Sequence, residues 1–255
     1  MQDCWDDFSY QLTTVSPLTI LFDIVDYTLG ASFVRDQLYV KRHYGMPLCC
    51  WLHSMLVIFA SGILSNVLLG KSVLMPFQTV NVLLATCIWY LVFYSPCDIG
   101  YRVIQHSSVY TGLYILHEVH RYHKIDTRIQ YVRQLFPDGY FIMVIVGTVS
   151  GNATGFARML QDMVRGLWTP EHASVITKIC LIASVVIIAT SEVEVLALPY
   201  PMVELILISL FVWCRINIML NPKFEPFERI EHTICHYLFY VSRRMSTHNL
   251  SAKQK

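Results

Sequence analysis

Long apolar runs without two-residue alternation organise this chain. They occupy about residues 16–34, 48–69, 79–97, 102–120, 138–158, 174–195 and 201–220. A helix needs about 20 mostly apolar residues, at ~1.5 Å rise each, to cross a hydrocarbon layer of ~30 Å. The runs meet that length, and their lack of alternation favours helices over barrel strands. The pattern predicts an all-α integral membrane protein with seven transmembrane helices. Residues 1–15 form an N-terminal tail, 16–220 the helical domain and 221–255 a C-terminal tail.

Two runs are interrupted in the middle. "FASGILSNVLLG" (59–70) breaks the second and "VGTVSGNATGFA" (146–157) the fifth. Glycine inside a helix costs about 1 kcal/mol against alanine. In a bilayer such clusters serve close helix contact, or a kink that opens a polar path. They fall in the middle helix of each of two consecutive three-helix units, which suggests a duplicated pore former. The two units are then inverted relative to each other, with one further helix at the end. Gly62, Ser65 and Asn66, with Gly147, Gly151, Asn152 and Gly155, are the expected pore-lining residues. Packing alone is the competing explanation of the glycine spacing.

Composition agrees. Of 255 residues, 55% are hydrophobic and 15% charged, where a soluble domain carries about 25% charged residues. Mean hydropathy is +0.46. The acidic N-terminus lacks the basic start and apolar core of a signal peptide, so the first helix serves as insertion signal. Eight cysteines are scattered without a C-x-x-C pair, which fits apolar packing.

Charge sets the orientation. Arg35, Lys41, Arg42, Arg102, Arg158, Arg165 and the basic tail lie on one side; Lys71, Arg121, Lys124, Arg128 and Arg133 lie on the other. The positive-inside rule places the C-terminus in the cytosol and the N-terminus on the opposite face. That opposite face also carries Asp3, Asp6, Asp7, Asp126, Asp138, Glu192, Glu194 and Glu204. Acidic groups there would concentrate cations near a pore mouth; translocated loops are also simply poor in Lys and Arg.

Ionisable groups inside spans are costly and normally face a partner or water. In the first span Asp23 and Asp26, three residues apart, share one face and are candidate counter-charges for gating. The fourth span is the most polar, and its His117, Arg121 and Lys124 stack on one face. They suit an anionic headgroup or a response to voltage. His117, His120 and His123, with His232 and His236 in the tail, have a metal-box spacing, but charge puts the two groups on opposite faces. No metal site is therefore expected. Arg215 lies near the cytosolic end of the seventh span, where its stem can reach headgroups.

Several strings together resemble the trimeric intracellular cation channel family. They are "ILFDIVDYTLGASFVRDQ" in the first span, "SGILSNVLLG" in the second, "WYLVFYSPCDIGY" (89–101) and "HEVHRYHKI" (117–125). "GTVSGNATGFARMLQDMVRGLWTPE" (147–171) and "FEPFERIEHTICHYLF" (224–239) follow in order. The resemblance implies a seven-helix protomer, a three-plus-three inverted repeat plus one helix, assembling as a homotrimer. Each protomer would hold its own pore, bent at glycines of the second and fifth helices. The family passes potassium and other monovalent cations across endoplasmic or sarcoplasmic reticulum as counter-current to calcium release. It responds to voltage, lumenal calcium and a phosphoinositide beside the pore, which here would rest on Arg121 and Lys124 with His117 a weaker third member. The resemblance implies no enzyme activity and no cofactor beyond that lipid.

This chain departs from the family pattern at three places. His117 replaces a lysine linked to gating and lipid, Ser150 stands where a basic residue is usual, and Ser61-Gly62 replaces a glycine pair. A histidine near its reference pKa of ~6.5 is mostly neutral at neutral pH, which makes pH-dependent gating an expectation. A seven-helix solute transporter is the alternative function; a membrane metal-dependent oxygenase and a seven-helix receptor are weaker ones.

Overall fold

The computed structural model describes residues 17–37, 46–152, 155–156, 175–192 and 200–221, with a few isolated tail positions. The N-terminal tail, His232, His236 and most of the C-terminal tail lie outside the described residues. Eight α-helices are present among the described residues, with no strand. They are α1 (Pro17–Asp36), α2 (Pro47–Leu68), α3 (Thr79–Tyr94), α4 (Ile99–Gln105) and α5 (Ser107–Leu135). α6 (Tyr140–Gly151), α7 (Val175–Glu192) and α8 (Tyr200–Leu220) follow.

By length and composition Pro47–Leu68 and Pro201–Leu220 can each cross a membrane. α3 and the Pro96–Gln105 segment qualify jointly, as a pair bent by 88°. The cause of that bend is local. Proline at 96 pushes Ser95 into extended backbone, ending α3 at Tyr94. Cys97 and Asp98 then both take left-handed backbone at φ 57°, and the Ser95 hydroxyl accepts the Gly100 N–H at 2.9 Å.

The fourth span therefore differs from the sequence expectation of 102–120. Residues 99–105 belong to the short α4, and His106 is extended. α5 then runs for 29 residues, roughly 43 Å at helical rise. Hydropathy ended that span at its charged residues; the helix continues because those charges find partners within the protein.

Packing sorts the helices into two groups. α1, α2 and α3 share a core of Tyr27, Ala31, Val34, Met55, Phe59, Trp89 and Phe93. α5, α6 and α7 bury Ile125, Ile129, Met143, Val146, Ile179 and Ala183. The groups meet where α2 packs on α6 and α1 on α5. At one end Arg35 pairs with Asp98 at 3.0 Å and lies over the Tyr101 ring at 4.1 Å. Elsewhere Lys71, after α2, lies 4.1 Å over the Tyr131 ring near the end of α5.

Two compact units divide the chain, Met1–Ile216 and Asn217–Lys255. The second contains the last turn of α8, where the Asn221 N–H donates to the Asn217 carbonyl at 2.8 Å. Everything described below lies in the first.

Candidate functional site

The two glycine-broken segments meet each other. α6 ends at Gly151, where the Asn152 N–H closes the last turn on Thr148 O at 3.2 Å and the following carbonyls can look outward. One of them, Ser150 O, accepts the Ser61 hydroxyl of α2 at 3.1 Å. The Ser150 hydroxyl donates its hydrogen to Val146 O at 2.7 Å. Its contact with Ser65 Oγ at 2.8 Å is therefore donated by Ser65. A buried polar seam joins the C-terminal part of α2 to the end of α6.

The expected pore residues divide around that seam. Asn66, one residue past Ser65, donates its side-chain amide to Ser72 O at 3.2 Å. It helps end α2, where Lys71 N–H reaches Asn66 O at 2.8 Å and Gly70 sits at φ 65°, a Schellman ending. Asn152 is buried at the break of α6 and donates to Thr177 Oγ1 of α7 at 2.6 Å. The two amides thus serve separate helix ends, and it is Ser61, Ser65 and Ser150 that bridge.

The glycines are close-contact positions. A methyl added at Gly147 would stand 2.7 Å from Ser184 Oγ and 3.0 Å from Ile129. At Gly151 it would stand 2.6 Å from Ile125 Cδ1 and 2.9 Å from Cys180 Sγ. These two glycines let α6 lie against α5 and α7. At Gly155 an added methyl would collide with the Asn152 side chain. α2 does not break at Gly62, where a bend was expected; it stays helical to Leu68. There the loop residue Pro76 closes on the helix, 2.7 Å from a would-be Cβ.

Beside the seam lies a charged cluster on α1, α5 and α8. Asp26 faces His117 at 2.6 Å, His120 at 3.1 Å and the Lys124 ammonium. Residues 117, 120 and 124 fall on one side of α5 by helical spacing, so one carboxylate on α1 meets all three. Asp23, one turn earlier, is within electrostatic reach of His120 and Lys124, and Phe22 stacks on His120 with ring centroids 4.9 Å apart.

Deeper in, Glu118 is 1% exposed and pairs with Arg121 at 2.9 Å and with Arg215 of α8 at 2.6 Å. Arg121 is itself 3% exposed and reaches His117 Nε2 at 2.9 Å. The expected lipid-facing arginine thus points inward, and Lys124, a third exposed, is the cation nearest the surface. Arg215 also corrects the sequence expectation. Its guanidinium turns from the headgroups into the protein, over the Tyr114 ring at 4.6 Å, because Glu118 offers a buried carboxylate. The i, i+3 spacing of Glu118 and Arg121 in an apolar span was the available signal for a buried pair. Nothing in the sequence tied it to Arg215 or Asp26.

Among the described residues no group of three or more His, Cys, Asp or Glu is arranged to hold a metal ion. Asp26 lies against His117 and His120 with the Lys124 ammonium as its charge partner.

Apolar helices that enclose hydroxyl bridges and a matched set of carboxylates and cations define a polytopic helical membrane protein with a polar interior. The chain belongs to the TRIC channel family, whose sequence profile matches residues 38–221. It is 35% identical over 226 residues to a trimeric intracellular cation channel type 1B.1 from Caenorhabditis elegans, covering 84% of this chain and 76% of that one. The human type A channel is 30% identical over 239 residues, covering 88% and 77%. A solved Caenorhabditis elegans trimeric intracellular cation channel superposes with a TM-score of 0.73 at 30% identity, covering 88% of this chain and 99% of that one. A second structure, described as a TRIC counter-ion channel in calcium release, gives 0.71 at 26% identity, covering 85% and 99%. Members of this family are ion channels of intracellular membranes rather than enzymes.

Proposed function

We propose that this protein conducts potassium and other monovalent cations through one pore per protomer, within a homotrimer. The current balances charge during calcium release from the endoplasmic or sarcoplasmic reticulum. The observation that carries the reading is the polar seam of Ser61, Ser65 and Ser150 between the C-terminal part of α2 and the end of α6. Conduction needs no covalent step: ions exchange water for hydroxyl, amide and carbonyl oxygens. Gly62, Ser65, Asn66, Gly147, Gly151, Asn152 and Gly155 line or shape that route. The corresponding places of α2 and α6 in their groups support an inverted repeat of α1–α3 and α5–α7, and the names of the relatives support the trimer.

Phosphoinositide is the proposed modulator, entering beside Lys124, with Arg121 and His117 behind it and Asp23 and Asp26 as the counter-charges. The N-terminus faces the lumen and the C-terminus the cytosol. Single-channel recording of the purified protein in a planar bilayer tests the central claim. Discrete steps that reverse at the potassium equilibrium potential are expected. Saturable flux without steps would support a transporter instead.

A further inference from the structure

The hydrogen bonds around His117 have one consistent polarity. Arg121 Nη2 lies 2.9 Å from His117 Nε2. A guanidinium has no acceptor, so it donates and Nε2 accepts. An accepting Nε2 carries no proton. The ring hydrogen is therefore on Nδ1, which donates to Asp26 Oδ1 at 2.6 Å. His117 acts as a neutral relay that ties Arg121 to Asp26 on another helix.

We propose that His117 is a proton-sensing positioning residue: a proton taken up at Nε2 removes the acceptor that Arg121 uses and uncouples α5 from its present packing. The groups around it set the balance. α1 presents Asp26, with Asp23 one turn away. α5 itself contributes Glu118, Arg121 and the Tyr114 ring, and it brings His120 and Lys124 to the same Asp26. α8 brings Arg215 onto Glu118, and α7 places Cys180 beside Arg121. With the histidines neutral, the three carboxylates Asp23, Asp26 and Glu118 equal in number the three cations Arg121, Lys124 and Arg215. One more proton on His117 leaves the cluster with a net positive charge and sets two cations at hydrogen-bond distance.

The consequence reaches the seam by a short path. Arg121 is one helical turn from Ile125, whose Cδ1 packs against Gly151 where α6 ends. A shift of Arg121 moves the wall on which that helix end rests. As a gating device the inference depends on the pore reading above. The relay geometry does not.

The test has two arms on the full-length protein. In planar bilayers, open probability is compared between pH 7.5 and 5.5 for the wild type, His117→Gln and His120→Gln. Glutamine donates and accepts without taking up a proton. The expected result is a change of about fivefold or more in the wild type and in His120→Gln, and a flat response in His117→Gln. A flat wild type, or a His117→Gln channel that titrates like it, overturns the proposal.

The second arm is 15N NMR of histidine-labelled protein. At pH 7.5 the His117 ring is expected as the Nδ1–H tautomer, turning doubly protonated on acidification. An Nε2–H ring at pH 7.5 overturns the relay. Silence in the bilayer at every pH would count against the pore reading, and the NMR titration would then decide the role of His117 by itself.

Discussion

Glu118→Ala removes one carboxylate and strips two arginines of their partner. Glu118 is 1% exposed and Arg121 3% exposed, while Arg215 keeps 14% of its side-chain surface. Breaking a buried ion pair from one side costs about 3–5 kcal/mol, because a charge stays behind unpaired. Arg121 keeps the weaker bond to His117 and Arg215 keeps the Tyr114 ring, so the figure belongs to the whole triad and not to each pair. In a protein of this size each kcal/mol moves Tm by about 2–4 °C. The expected fall is then roughly 6–20 °C for protein purified in detergent and followed by tryptophan fluorescence. A double-mutant cycle with Arg215→Ala should show a coupling of about 0.5–3 kcal/mol, as for residues in one ion-pair network. A Tm change below about 2 °C in Glu118→Ala, or strict additivity with Arg215→Ala, would refute the claim that these charges are dry and mutually dependent.

Glycine substitutions should split in sign by position. Gly112→Ala in α5 meets nothing within 4 Å and should stabilise by about 0.5–1 kcal/mol through helix propensity alone. Gly151→Ala drives a methyl to 2.6 Å from Ile125. Its overpacking cost of about 1–3 kcal/mol should outweigh that gain, lowering Tm in the same melt. At the α3–α4 bend, Cys97→Gly should raise Tm, since a left-handed non-glycine residue costs about 1–2 kcal/mol. Cys97→Val should lower Tm, and a reversed order would contradict the left-handed backbone there.

Buried charge explains why the chain can keep so polar a helix in a membrane. A lipid-facing α5 carrying Glu118, Arg121 and Lys124 would be costly. Facing α1 and α8, each of these groups meets an opposite charge. The matched set also gives His117 its place: it fills the gap between Asp26 and Arg121 without adding charge of its own.

What the residue pattern decided by itself is the class of structure and most of its segments. The apolar runs placed α1, α2, α3, α7 and α8 closely, because desolvating about 20 residues of helix is a local requirement. The same pattern marked the middles of the second and fifth spans, and Ser65 and Ser150 do lie where those segments meet. Tertiary structure alone decided the rest. The 88° turn after α3 depends on two successive left-handed residues that no hydropathy pattern carries. The length of α5 depends on Asp26 and Arg215, which lie roughly a hundred positions away on either side. Whether an arginine in an apolar span reaches for headgroups or turns inward is settled by what the neighbouring helix presents to it. Spacing along one helix gives the face on which a charge stands; only packing gives the partner across from it.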